Sequence, residues 1–342
     1  MKHAGRLAAL LCSVLTVAML CGISVHAGAQ TVDLAKKEKL KVAYSSSVVN
    51  LQSIAVWIAR DKGILQKYGL EVDVTLINGA GPTLLAVISG EADLGLVDPT
   101  QLIIAVNKGE KMRGVVNTTP KQIYLLLAHT GIKTLKDLAG KRVGISQPGT
   151  ISQTLVDMTL RKNGVDTRNI QWVAVGGAGP RYQAIVRQRV DAGIGQIVYG
   201  IRGEKDGVHS LANLGDEMPD LMGYTYAAKL SNIEQNRGAM IKFAAALIEA
   251  TRLLLADGNM TLDIYLKNSS GVNRTEAQRE YDLLKKSAAW GADGKFTAPA
   301  LAFTGKTMVD EGQIKTVPAF DDVFAQNIVE AALRLVAQTK RG

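Results

Sequence analysis

The chain has 342 residues, of which 47% are hydrophobic, 21% charged and 5% aromatic, and its formal net charge is +9. This composition is typical of a globular protein, and the length predicts about two domains. The basic residues are scattered and are not interleaved with aromatic residues, so we expect no nucleic-acid-binding surface.

Residues 1–29 are predicted to form a secretory signal peptide. Lys2 and Arg6 precede a mostly apolar stretch, residues 7–25, and the small residues 27–29 form a cleavage pattern before Gln30. An uncleaved membrane anchor is the alternative, although the apolar stretch is marginal for a span. We therefore expect the mature protein to be periplasmic.

Cleavage at this point would remove every cysteine from the chain. Cys12 and Cys21 both lie within the first 29 residues. The mature protein is therefore expected to have no disulfide, no thiolate nucleophile and no cysteine-ligated metal. We predict neither a cofactor nor a metal site.

Two successive parts of the chain are predicted to contain the same elements in the same order. Each has a strand, a helix, a second strand, a Gly-Ala-Gly-Pro turn, a second helix and a third strand. The predicted ranges are 40–44, 50–62, 71–77, 82–89 and 92–97 in the first copy, and 142–145, 151–162, 170–175, 180–188 and 192–198 in the second. Residues 78–96 and 176–194 align without gaps and are identical at seven of nineteen positions. The alternation predicts an α/β protein with two lobes, each a parallel-rich sheet flanked by helices.

The turns of the repeat are predicted to face one cleft. A Pro at the first helical position would make Gly81 and Gly179 the N-caps of their helices, with free backbone N–H groups at a positive helix end. Thr150 follows the turn at Gly149 and is predicted to form a capping box with Gln153. The serines Ser45, Ser46 and Ser47 occupy the matching loop of the first copy. All these loops follow strands, where ligands bind in open α/β sheets.

Residues that differ between the copies are candidates for ligand choice. Arg181 follows the second Pro in the first turn of a helix, where a bound anion would offset repulsion from the helix dipole; the alternative is an arginine in water. Asp98 ends a strand and either binds an amine or caps the next helix. Its counterpart in the second copy is Gln196. Tyr199 and Tyr224 either close an apolar wall of the cleft or pack in the core.

Residues 59–74, 90–98 and 131–146 resemble solute-binding proteins of ABC importers in the nitrate/sulfonate/taurine class. The resemblance implies two lobes joined by a hinge, with the ligand trapped between them. It implies that residues 39–128 and 228–342 form lobe 1, that residues 129–227 form lobe 2, and that the chain crosses near residues 128–134 and 223–228. It also implies C-terminal helices packed on lobe 1. The expected protein is a monomer that binds a small anion or zwitterion, with sulfonates and taurine-like compounds favoured, and docks on a membrane permease with its ATPase.

Two other functions remain open from the sequence. Some relatives of this fold make a pyrimidine and carry a cysteine run, which the mature chain lacks. The chain has no G-x-S-x-G, H-E-x-x-H or G-x-G-x-x-G motif, so we expect no catalytic activity. The third possibility is a ligand-sensing module for a membrane receptor.

Overall fold

The computed structural model describes residues 32–121 and 123–339. The predicted signal peptide, residues 1–29, lies outside the described residues. Two five-stranded sheets flanked by helices confirm the predicted two-lobed α/β fold. Within the described residues, no helix combines the length and the apolar character needed to cross a bilayer.

The strands divide between the two sheets in a repeated pattern. They are β1 (Glu38–Tyr44), β2 (Leu70–Leu76), β3 (Leu94–Val97), β4 (Met112–Val116), β5 (Leu125–His129), β6 (Arg142–Ile145), β7 (Gln171–Ala174), β8 (Ala192–Gly195), β9 (Val208–Asn213) and β10 (Thr225–Lys229). The first sheet has the order β2-β1-β3-β10-β4 and the second has the order β7-β6-β8-β5-β9. The three repeated strands are parallel in each sheet, and the fourth strand in the order is antiparallel to its neighbours.

Burial along the strands follows their place in the sheet. The edge strand β2 alternates, with Leu70 and Val72 buried and Glu71 and Asp73 exposed. The inner strand β3 is buried at all four positions, because helices cover both faces of the sheet there.

Helices connect and cover the strands. Those before β10 are α1 (Ala55–Asp61), α2 (Ile64–Lys67), α3 (Ala80–Ser89), α4 (Pro99–Asn107), α5 (Ile151–Lys162), α6 (Ala178–Val186), α7 (Ile197–Asp206) and α8 (Leu214–Glu217), with a 3₁₀ turn at Leu135–Leu138. Those after β10 are α9 (Leu230–Gln235), α10 (Arg237–Ala256), α11 (Gly258–Asn268), α12 (Arg274–Lys286), α13 (Ala298–Asp310), α14 (Phe320–Val323) and α15 (Gln326–Thr339).

The C-terminal helices share a core with the first sheet. The apolar stripe of α10 includes Met240, Phe243 and Leu247, which are fully buried in the same cluster as Tyr44 and Tyr226 of the sheet. The second sheet has its own smaller clusters on its two faces. The first cluster also includes Ile197 and Ile201 of α7, so the two halves are in apolar contact.

The chain crosses between the sheets earlier than predicted. β5 lies in the second sheet, so the first crossing falls between β4 and β5 and not at residues 128–134. The second crossing falls between β9 and β10. The two crossing segments lie side by side: the Gly223 N–H donates to Pro120 O at 3.0 Å, and the Thr119 hydroxyl donates to Tyr224 O at 2.7 Å. β5 and β10 each enter their sheet from the opposite half, and each pairs antiparallel with both of its neighbours.

Candidate functional site

A cleft with a volume of about 380 Å³ lies where the six repeated strands end. Its walls come from the residues that follow β1, β2 and β3 in the first half and β6, β7 and β8 in the second. Eleven of the twelve predicted site residues line it: Ser45, Ser46, Ser47, Gly81, Asp98, Thr150, Gly179, Arg181, Gln196, Tyr199 and Tyr224. The volume suits a small organic ligand.

Gly149 is the exception among the predicted residues. It adopts a positive φ of 73° in the turn before α5, and its N–H donates to the Gln153 side chain at 2.9 Å. The predicted capping box is wrong for the same reason, because Gln153 bonds to Gly149 and not to Thr150. The Thr150 hydroxyl bonds instead to Gln147 O at 2.7 Å and to Ser152 Oγ at 2.8 Å.

The Gly-Ala-Gly-Pro turns begin helices two residues earlier than predicted. The N-caps of α3 and α6 are Gly79 and Gly177, so Gly81 and Gly179 lie within the first helical turn. Proline at the third helical position is tolerated because the first four N–H groups of a helix have no intrahelical partner. Gly79 has a φ of 113°, which a side chain would strain. The turns still present free backbone N–H groups to the cleft.

Five helix N-termini converge on the cleft, and only one of them is capped by a side chain. The N-terminal residues of α3, α4, α5, α6 and α7 all line it. The four helices α3, α5, α6 and α7 have no side-chain cap. Away from the cleft, α11, α12 and α13 are capped by Asp257, Asn273 and Thr297, while α1, α2, α9, α10 and α14 also lack a side-chain cap. Uncapped N-termini favour an anion, since the donors and the positive dipole end remain available.

Arg181 is buried in the cleft wall with only 4% of its surface exposed. Its Nε donates to Ile194 O at 2.9 Å and its Nη1 donates to Ser146 Oγ at 2.6 Å and to Gly176 O. None of the salt bridges among the described residues includes Arg181. Burial lowers the pKa of its guanidinium, while Tyr124, Tyr224 and Tyr199 raise it. The arginine therefore does not point into water, and no residue within 32–121 or 123–339 forms an ion pair with it.

Asp98 caps α4 and is 1% exposed. Its Oδ1 accepts from the Thr100 N–H at 2.9 Å and from the Thr100 hydroxyl at 2.6 Å. Burial raises the pKa of this carboxyl, and the hydrogen bonds from Thr100 and from the Gln101 backbone oppose the rise. The capping alternative is confirmed, and the carboxylate also lines the cleft.

Tyrosines form the part of the cleft nearest the crossing segments. Tyr124 precedes β5 and Tyr224 precedes β10, so each crossing contributes one ring. Burial raises the pKa of Tyr124 to about 12 and that of Tyr224 well above its ordinary value. The Tyr199 ring stacks on Tyr182 with 4.9 Å between centroids. Burial also raises the pKa of Tyr199, so all three tyrosines that line the cleft are neutral at physiological pH.

Several cleft residues were not identified from the sequence. Ser146 is the repeat counterpart of Ser45, so the alignment contained the signal for it. Gln101 lies three residues after Asp98 on α4, and its Oε1 is buried without a hydrogen-bond partner, as is Ser45 Oγ. Tyr124 lies outside both copies of the repeat, so the alignment did not indicate it. Across residues 32–121 and 123–339, no three His, Cys, Asp or Glu side chains converge in a geometry that could hold a metal ion.

Comparison with known proteins supports the fold resemblance seen in the sequence. A Brucella abortus (strain 2308) protein described as a binding protein is 25% identical over 227 residues, which are 65% of this chain and 70% of that protein. The aliphatic sulphonate binding protein SsuA of Escherichia coli has a TM-score of 0.67 and 21% identity, covering 85% of this chain and 93% of that one. The nitrate-binding protein NrtA of Synechocystis PCC 6803 has a TM-score of 0.72 and 12% identity, covering 88% and 89%.

These similarities confirm that the chain has the fold of periplasmic solute-binding proteins. A family model described as NMT1/THI5 like matches residues 50–259, which is more than half of the chain. The protein belongs to the NMT1/THI5 like family.

Proposed function

We propose that this protein is the solute-binding component of an ABC importer and captures a small organic anion in the cleft. The observation that carries the proposal is Arg181, a buried arginine that lines the cleft with the uncapped helix N-termini and forms no ion pair with any residue that the structure describes. A buried charge that lacks a partner is unfavourable, and a bound anion would supply that partner. Sulfonates are the favoured class, because three oxygens can accept hydrogen bonds from Arg181 and from backbone N–H groups together.

Hinge closure is the proposed mechanism of capture. The paired crossing segments beside Tyr124 and Tyr224 are the proposed hinge, and the lobes are the proposed rigid bodies. Three ion pairs join helices of the second half to C-terminal helices: Arg279 with Glu204 at 2.6 Å, Arg202 with Glu276 at 3.2 Å, and Arg161 with Glu311. Each partly exposed pair contributes about 0.2–1 kcal/mol, so these pairs would not prevent the proposed opening of the lobes for ligand exchange.

The relatives support the transport setting. Export by the predicted signal peptide would bring the mature chain to the periplasm as a monomer, where it would deliver its solute to a membrane permease and ATPase. SsuA and NrtA are described as periplasmic binding proteins for aliphatic sulphonate and for nitrate. The docking partners belong to this proposal, and the lobe boundaries are proposed to lie in the segments between β4 and β5 and between β9 and β10.

A thermal-shift screen followed by calorimetry tests the proposal. The mature protein is incubated with alkanesulfonates, arenesulfonates, nitrate, carboxylates and neutral amides of matched size. A ligand that binds only the native state at 100 times its Kd stabilises the protein by about 2.7 kcal/mol, so a sulfonate should raise the Tm by several degrees. The recovered ligand should be chemically unchanged. No shift with any anion would contradict the proposal, and a converted ligand would favour the enzymatic alternative.

A further inference from the structure

Each half of the cleft contains one ionisable residue whose repeat counterpart in the other half is uncharged. Arg181 in the second half corresponds to Thr83 in the first, and Asp98 in the first half corresponds to Gln196 in the second. Thr83 is fully buried, and its hydroxyl donates to Gly79 O at 2.9 Å, so it offers nothing to the cleft. One half therefore provides a guanidinium group and the other provides a carboxyl group.

The matched serines show the same asymmetry. Ser146 follows β6 and accepts a hydrogen bond from Arg181 Nη1 at 2.6 Å. Ser45 follows β1 in the equivalent position, and its buried Oγ has no partner in the structure. Because the first half has threonine in place of the arginine, its serine remains available to a ligand.

Hydrogen-bond acceptors concentrate on the side of the cleft formed by the first half. Gln101 Oε1 is buried there without a donor, one helical turn from the buried carboxylate of Asp98. A buried acceptor without a donor is destabilising unless a ligand or water supplies one. The second half contributes mainly donors, namely the uncapped N-termini of α5, α6 and α7 and the guanidinium of Arg181, while the first half adds one uncapped N-terminus, that of α3.

The two ionisable groups line the cleft together with the tyrosines of the crossing segments. The pKa values of Tyr124 and Tyr224 respond to both charges: Asp98 raises them and Arg181 lowers them. Asp98 and Arg181 do not form a salt bridge with each other. A ligand that spans the cleft beside Tyr124 and Tyr224 can therefore contact both groups.

We propose that the cleft is selective for zwitterions, with the acidic group of the solute bound at Arg181 and a protonated amine bound by Asp98 and Gln101. This inference rests on the proposed function and specifies its solute class. A carboxylate and an amide oxygen are suitable acceptors for an ammonium group, which has three donors. A simple anion would leave Asp98 without a counterion and would be repelled by it.

Matched pairs of sulfonates test the inference by calorimetry on the mature protein. The pairs are 2-aminoethanesulfonate with ethanesulfonate, 3-aminopropanesulfonate with propanesulfonate, and 4-(aminomethyl)benzenesulfonate with 4-methylbenzenesulfonate. In at least one pair the amine should bind about 100-fold more tightly, because a site that hydrogen-bonds an N–H group strongly rejects the analogue without it.

The variant Asp98→Asn tests how much the negative charge of Asp98 contributes to the preference for the amine. Asparagine is an equally good N-cap, so α4 should keep its start, which circular dichroism and the Tm would verify. The preference for the amine should fall below about fivefold, and the amine-free member should bind more tightly because repulsion is removed. Asp257→Asn is the control, since Asp257 caps α11 through Met260 N at 2.9 Å and does not line the cleft. Gln101→Leu should also reduce the preference for the amine-bearing sulfonate. This second variant tests the inference if Asp98→Asn does not fold.

The outcomes separate this inference from the proposed function. If the wild-type protein binds sulfonates but does not prefer the amine in any pair, the zwitterion assignment is wrong and the solute-binding proposal stands. Asp98→Asn weakening both members of a pair equally would also overturn the assignment. If no member of any pair binds, and no other anion binds, the proposed function itself fails.

Discussion

Replacing Arg181 by methionine should remove most of the affinity of the cleft for organic anions. Methionine fills a similar volume without the charge or the donors. In the wild-type protein the guanidinium is held by Ile194 O, Ser146 Oγ and Gly176 O, and its position is therefore fixed before a ligand arrives. The variant loses both this preorganised donor and the only buried cation among the described residues that line the cleft.

The expected magnitude follows from the burial of the arginine. Truncating one partner of a buried, hydrogen-bonded charge pair weakens binding by about 2–5 kcal/mol. A value near the lower middle of that range, about 3 kcal/mol, corresponds to an increase in Kd of about 150-fold. The unliganded variant should lose less stability than this, because the substitution also removes the desolvation penalty of a buried charge without a counterion.

Isothermal titration calorimetry with the best sulfonate from the screen measures the effect. Arg187→Met is the matched control: Arg187 follows the same helix, is exposed and does not line the cleft. The control should keep the wild-type Kd within a factor of about two, since surface substitutions usually have small effects. A folded Arg181→Met variant that binds within a factor of about three of wild type would refute the assignment of Arg181 to the anion site.

Two further predictions concern stability. Glu280 on α12 is 3% exposed and accepts from the Tyr265 hydroxyl at 3.3 Å, and burial raises its pKa from 4.5 to about 8. The folded protein therefore retains a proton that the unfolded chain releases, so the unfolding free energy should fall by up to about 1.4 kcal/mol per pH unit between those values. Glu280→Gln should flatten this dependence in guanidinium titrations from pH 5 to 8; an unchanged slope would contradict the raised pKa. In the crossing segment, a Cβ on Gly223 would lie 1.8 Å from Thr119 O, so Gly223→Ala should lower the unfolding free energy by about 3 kcal/mol. Gly81→Ala, whose Cβ would meet nothing within 4 Å, is the control, and equal stability losses in the two variants would contradict the crossing geometry.

The repeated part of the fold was predictable because its signals are local. Alternating apolar patterns, terminal glycines and the Gly-Ala-Gly-Pro turns identified three strands and two helices in each half. The starts of α3 and α6 were predicted two residues too late. Proline is compatible with any position in the first helical turn, so a proline by itself does not identify the N-cap residue.

The crossing point was not predictable from local pattern. The sequence of β5, Leu125–His129, predicts a buried strand but does not indicate which sheet it joins. That choice depends on pairing with β8 and β9, which lie far along the chain. The prediction from family resemblance placed the first crossing between the lobes after β5, whereas the observed strand pairing places this crossing before β5.

The candidate site was predicted mainly through the loops and less well through individual side chains. The repeat identified where the strands end, and eleven predicted residues line the cleft. The burial of Arg181 was not predictable, because a first-turn arginine can point to water or inward depending on the space that other elements leave. Tyr124 and Gln101 were missed since neither belongs to a motif and their proximity to the cleft arises from tertiary packing.

A crystal structure of the mature protein with the tightest-binding organosulfonate tests the central claim most directly. The account predicts sulfonate oxygens within about 3 Å of the Arg181 guanidinium and of backbone N–H groups at the start of α6. It also predicts that both halves of the cleft contact the ligand. A tightly bound sulfonate located outside the cleft, or within it but away from Arg181, would contradict the account.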